Sequence, residues 1–194
     1  MKRICVFCGS AKGARPGYEE AAVRLGHLMA ERGLGLVYGG GSIGLMRVVA
    51  DAVMAKGGKV IGVIPDSLLQ REVGHRGVTE LRVVDTMHQR KALMADLSDA
   101  YIALPGGYGT LEEFCEVVTW SQLGIQQKPC GLLNVEKFWD GLLEFLDHAV
   151  REDFVRKENR GLVLVATTAE EMLDKLSAWQ PPTHIEKWMG VEKR

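Results

Sequence analysis

Residues 105–113 read Pro-Gly-Gly-Tyr-Gly-Thr-Leu-Glu-Glu and follow directly on the apolar run Ala100-Tyr101-Ile102-Ala103-Leu104. This pattern predicts a buried strand that empties into a glycine-rich turn and then a helix starting near Thr110. Gly106, Gly107 and Gly109 leave backbone N–H groups uncovered by side chains. The helix N-terminus directs its own free N–H groups and the positive end of its dipole into the same space, which suits a phosphate. Glu113 sits one turn in, where a mere phosphate cradle has no use for negative charge. Phosphate binding beside an acid points to chemistry on a nucleotide. Thr110-Leu111-Glu112-Glu113 is also a T-x-x-E capping box, and Thr168-Ala169-Glu170-Glu171 repeats that box with no preceding glycines. Spacing alone therefore leaves Glu113 open between cap and catalyst; its place beside the cradle tilts it towards catalysis.

A second group lies at Met87-His88-Gln89-Arg90-Lys91, the predicted start of another helix with Asp85 or Thr86 as N-cap. Two cations near a helix N-terminus oppose the dipole, so Arg90 and Lys91 are expected to serve an anionic ligand. Arg90 shares a helical face with Leu93 and Leu97 and should lean towards the protein. Gly39-x-Gly41-x-x-Gly44 matches the dinucleotide fingerprint literally, but it follows the second strand rather than the first. A mononucleotide phosphate or sugar loop is the better expectation, with Gly41-Ser42 and Gly9-Ser10 as phosphate-loop candidates. Cys5 and Cys8 have C-x-x-C spacing, yet within a strand such positions point to opposite faces, and no second pair supplies zinc ligands. They are expected to be buried structural thiols. No metal site or cofactor is called for.

The elements that must position these groups follow from the wider pattern. Apolar runs at Ile4–Cys8, Gly35–Tyr38, Lys59–Ile64, Leu81–Val84, Ala100–Leu104, Cys130–Leu133 and Leu162–Val165 read as strands. Helical patterns lie between them at about 17–32, 44–56, 87–97, 110–123, 137–151 and 169–179. Strands apolar on both faces and separated by helices predict a doubly wound, Rossmann-like parallel sheet of about seven strands with helices on both faces. Ligands in such folds sit beyond the carboxyl ends of the strands, at a topological switch point. Residues 1–180 read as one nucleotide-binding domain and 181–194 as a polar tail. The segment 65–80, containing Arg71-Glu72, is where a lid or binding loop would sit. The 194 residues carry 24 basic and 25 acidic side chains for a net charge of −1, which leaves no field to hold a nucleic-acid backbone. No apolar run is long enough for a membrane span or signal core, so the four cysteines are expected to be reduced thiols in a cytoplasm.

Pro105–Glu113 resembles the P-G-G-x-G-T-x-x-E signature of the Lonely guy (LOG) family, often mislabelled lysine decarboxylases. Met87–Lys91 resembles its second signature and Tyr38-Gly39-Gly40-Gly41-Ser42-Ile43-Gly44-Leu45-Met46 a third. Arg47 stands where a small residue is expected. The resemblance implies a cytokinin riboside 5′-monophosphate phosphoribohydrolase, which releases free base and ribose 5-phosphate from N6-modified AMP and in many cases AMP. It implies Arg90 and Glu113 as the catalytic pair, with nucleotide contacts at Glu72, Arg90, Lys91, Gly107, Tyr108, Gly109, Thr110, Leu111, Glu112, Glu113 and Thr119. It also implies a homodimer with the active site close to the subunit interface, an expectation to which Trp120, Trp179 and Trp188, taken as exposed, add. A pyridoxal-phosphate decarboxylase would need a Schiff-base lysine, for which Lys91 is the one candidate. A non-catalytic nucleotide or cofactor carrier would share the fold and the phosphate loops.

Overall fold

The apolar runs named above become strands, most of them buried on both faces of a sheet, while Leu81–Val84 stays partly exposed at its edge. A computed structural model describes residues 1–72 and 74–182, and for Arg71 and Glu72 the backbone alone. In chain order the elements are β1 (Arg3–Phe7), α1 (Pro16–Glu31), β2 (Gly35–Tyr38), α2 (Gly44–Ala55), β3 (Val60–Pro65), α3 (Asp66–Glu72), β4 (Glu80–Val84) and α4 (Met87–Asp96). They continue with β5 (Ala100–Ala103), α5 (Tyr108–Gln122), β6 (Cys130–Leu133), a 3₁₀ turn (Val135–Lys137), α6 (Asp140–Arg151), α7 (Lys157–Arg160), β7 (Val163–Ala166) and α8 (Ala169–Ala178).

The seven strands form one parallel sheet in the order β4-β3-β2-β1-β5-β6-β7. The chain builds outward from β1 to β4, then returns to the far side of β1 to place β5. That reversal opens a crevice beyond the ends of β1 and β5, where Ile4 pairs Ala100 and Phe7 pairs Ala103. The doubly wound expectation holds. Alternation divides the core in two. Ile4, Val6 and Cys8 face one side with α1, α2 and α8, while Cys5, Phe7 and Val37 face the other with α4 and α5. Cys5 and Cys8 therefore point apart, and burial pushes both thiols well up. No helix among the described residues is long and apolar enough to cross a membrane.

Two readings change. The segment 65–80 is not simply a loop: α3 runs straight on from β3 and carries Leu68 and Leu69 inward, too short a helix to show a period. Leu111, Phe114, Cys115 and Val118 have helical spacing and read from sequence as the core stripe of α5; the residues it buries are Thr110, Phe114, Val117 and Ser121, while Leu111 and Val118 pack partly against the core and Cys115 is exposed. Trp188 and the tail beyond residue 182 lie outside the described residues.

Candidate active site

Backbone hydrogen bonds knit three loops together at the switch point. Gly9 N–H donates to Pro105 O at 3.0 Å, and Leu45 N–H donates to Gly9 O at 3.0 Å. The chains pass so closely that a Cβ on Gly44 (φ +58°) would lie 2.2 Å from the Ser10 carbonyl carbon, and one on Gly106 2.1 Å from Thr110 Oγ1. Close approach explains those glycines. It does not explain Gly107 and Gly109, whose Cβ atoms would meet nothing within 4 Å. There the missing side chain exposes backbone.

That backbone is a helix N-terminus. α5 starts at Tyr108 with Gly107 as its N-cap and no side-chain cap, and the backbone bond that opens it runs from Leu111 N–H to Gly107 O at 3.1 Å. The N–H groups of Tyr108, Gly109 and Thr110 precede that bond and belong to residues lining the cleft, an arrangement suited to an anion. Thr110 is the third helical residue and is buried, not an N-cap. The cap reading of Glu113 therefore fails. The matching box at residues 168–171 is genuine: Thr168 Oγ1 accepts from Glu171 N–H at 3.3 Å and Glu171 accepts from Thr167 N–H at 3.2 Å. Thr86 and Gln89 form another at the start of α4, with Thr86 Oγ1 accepting from Gln89 N–H and Gln89 accepting from Asp85 N–H.

Freed from capping, Glu113 faces Arg90. Glu113 Oε1 lies 3.6 Å from Arg90 Nη1, and each side chain is 11% exposed. Arg90 Nε donates to Val63 O at 3.2 Å and Nη2 to Gly39 O at 3.0 Å, so the ends of β2 and β3 fix the guanidinium. Burial raises the Glu113 carboxyl above the usual glutamate range, against the opposing pull of Arg90. Lys91 behaves differently. Its ammonium sits between the carboxylates of Glu112 and Glu116, the latter at 3.0 Å, and these hydrogen bonds outweigh burial and raise its pKa. The two cations at the start of α4 are thus met by α5 carboxylates, and Lys91 is already paired within the chain.

Arg90 and Glu113 line a cleft of about 230 Å³ together with Gly9, Ser10, Gly107, Tyr108, Gly109 and Thr110. A second cleft of about 270 Å³, lined by Lys12, Tyr18 and Phe138, shares Gly9, Ser10 and Gly107 with the first. A larger groove of about 660 Å³ lies between α1 and α2, but its charges are exposed surface pairs such as Lys12–Glu19 and Arg47–Asp51. Ser42 lines that groove, Gly41 is bridged to Gly74, and neither is among the residues that line the cleft. Leu111 packs partly against the core. Thr119 lies further along α5, exposed, its hydroxyl donating to Cys115 O at 2.7 Å. The Glu72 side chain lies outside the described residues. Sequence reasoning missed Cys8 and Leu68, which line the cleft, and the two carbonyls that hold Arg90. Met46 also lines it, and its place at the end of the third signature was the available signal.

A family profile described as possible lysine decarboxylase matches residues 46–176. The chain is 57% identical over 185 residues to a protein of Oryza sativa subsp. japonica named cytokinin riboside 5′-monophosphate phosphoribohydrolase LOG, covering 95% of this chain and 76% of that protein. An Arabidopsis thaliana protein bearing the same activity name is 55% identical over 179 residues, covering 92% and 83% respectively. Among solved structures, the molybdenum cofactor binding protein from Rippkaea orientalis superposes with a TM-score of 0.68 at 23% identity, over 91% of this chain and 96% of that one. DNA processing protein A from Helicobacter pylori superposes with a TM-score of 0.59 at 15% identity, over 91% and 80%. At those identities the structural likeness shows the fold alone.

Proposed function

Because this chain belongs to the LOG family of cytokinin riboside 5′-monophosphate phosphoribohydrolases, we propose that it hydrolyses the N-glycosidic bond of N6-modified AMP, and of AMP itself, with Arg90 and Glu113 as the catalytic pair. The observation that carries this reading is the buried Arg90–Glu113 pair facing a cleft whose wall is the uncapped N-terminus of α5.

Breaking the C1′–N9 bond passes through a state positive at the sugar and negative at the departing purine. Ionised Glu113 stabilises the sugar cation or takes the proton of the attacking water. Water adds to C1′, and N9 leaves with the bonding electrons and gains a proton. Arg90, with two nitrogens committed to carbonyls, holds Nη1 beside the reacting centre in a fixed orientation. The 5′-phosphate rests on the N–H groups of Tyr108, Gly109 and Thr110, and this remote binding aligns the scissile bond. We also read the protein as a homodimer, and other nucleoside 5′-monophosphates as within its reach.

A decarboxylase reading asks Lys91 to form a Schiff base, which needs a depressed pKa. The two carboxylates beside Lys91 push the other way. Incubation with AMP and with N6-isopentenyl-AMP, scored chromatographically, tests the proposal: free base and ribose 5-phosphate are expected. Tight nucleotide binding with no release of base would favour a carrier instead.

A further inference from the structure

We infer that Gly39 is a positioning residue for this reaction, its missing side chain forming the seat on which the Arg90 guanidinium lies. The inference rests on the reading of Arg90 as catalytic. Gly39 opens the loop after β2, and turn geometry does not demand glycine there. The positive φ values in this loop belong to Gly40 (+73°) and Gly44 (+58°). Space is the reason. A Cβ on Gly39 would fall 1.8 Å from Arg90 Nη2, 3.0 Å from its Cζ and 3.4 Å from Met46 Sδ.

The guanidinium can move aside only by giving up its partners. Nε is held by Val63 O, Nη2 by the Gly39 carbonyl itself, and Nη1 faces Glu113. Gly39 thus supplies both an acceptor for the arginine and the room it needs. A methyl group would remove the room and leave the acceptor. The first glycine of the G-x-G-x-x-G string therefore serves the arginine, not a phosphate, and it is absent from the residues lining the cleft. Phosphate binding on the α5 amides should not depend on it.

The test is a cycle of Gly39→Ala, Arg90→Ala and the double variant, with steady-state kinetics on N6-isopentenyl-AMP and thermal melting. Gly39→Ala is expected to lower kcat roughly 10²-fold or more while KM stays within about threefold, the mark of an interaction made in the transition state. Its melting temperature should drop against wild type, but the double variant should melt with Arg90→Ala, because the clash needs the guanidinium. Wild-type kcat in Gly39→Ala, or an equal drop in both backgrounds, overturns the inference. If Gly39→Ala alone aggregates, recovery of folded protein in the double variant supports the seat and continued aggregation refutes it. Should wild type release no base from either nucleotide, the functional reading fails, while the melting cycle still decides whether Gly39 seats Arg90.

Discussion

Glu113 is a carboxylate that folding discourages from ionising and that the chemistry needs ionised. Burial raises its pKa, and Arg90 at 3.6 Å offsets this only in part. If the carboxylate is the active form, kcat/KM falls as pH drops through a value above the ordinary glutamate range, which a pH–rate profile measures. Linkage gives the companion effect on stability. A folded-state pKa raised above the unfolded value of 4.5 means the native state keeps its proton longer, so Glu113 contributes stability at low pH that is lost as pH rises through its folded pKa. Glu113→Gln removes that loss. It is expected to cut kcat by roughly 10²-fold or more, yet to gain in melting temperature relative to wild type as pH rises from the ordinary glutamate range. Glu171→Gln, at the genuine capping box, should leave activity intact, since glutamine is an accepted partner there. A Glu113→Gln variant that turns over like wild type would end the catalytic assignment.

At the scale of the element, α5 carries its function in its first turn. A helix begun without a side-chain cap at residues lining a cleft keeps its anion-binding N–H groups open. The glycines around it separate into two kinds by what a Cβ would meet. Gly109→Ala enters open space inside a helix, so stability should hold or rise slightly, while KM for the monophosphate rises as the methyl crowds the phosphate. Gly44→Ala must adopt a positive φ and collides with the Ser10 backbone, and should cost ~2 kcal/mol or more in stability. Melting and KM measured on both variants separate the two. Equal behaviour would show that the cradle and the packed turn had been wrongly distinguished.

For the whole molecule, reversal of strand order between β1 and β5 gathers the loops after β1, β2 and β5 at one sheet edge. Gly9, Arg90 and Glu113 come from three separate stretches of chain and meet only there. A site whose wall is a bare helix terminus should depend on the 5′-phosphate, so adenosine or its N6-modified counterpart should be cleaved far more slowly than the monophosphate. Equal kcat/KM for the two would remove the cradle. Light scattering is expected to give a dimer at working concentration, and a monomer would overturn that proposal. The tryptophans do not mark its surface as expected: Trp120 packs partly against the core and Trp179 is half-buried. The large exposed apolar side chains at and around α5 are Met87, Tyr108, Leu123 and Ile125, with Tyr108 93% exposed.

The sheet was legible along the chain, because apolar runs and glycine turns are local signals of one element each, and seven of them can be read independently. The sequence also marked Arg90, Glu113 and the open Gly107 and Gly109, since a charge or a bare backbone out of place is visible without coordinates. Tertiary structure decided what those residues touch. Two T-x-x-E strings look alike at residues 110–113 and 168–171, yet the helix of the first begins earlier, at Tyr108, and only the second is a cap. Lys91 reads along the chain as serving an anionic ligand, and its carboxylate partners Glu112 and Glu116 come beside it only when α5 packs there. Gly39 and Arg90 stand 51 residues apart, and no period or spacing connects them. Hydrogen bonding and burial act across space, whereas pattern runs along the chain; the seat of the arginine and the raised carboxyl beside it exist only once the chain has closed on itself.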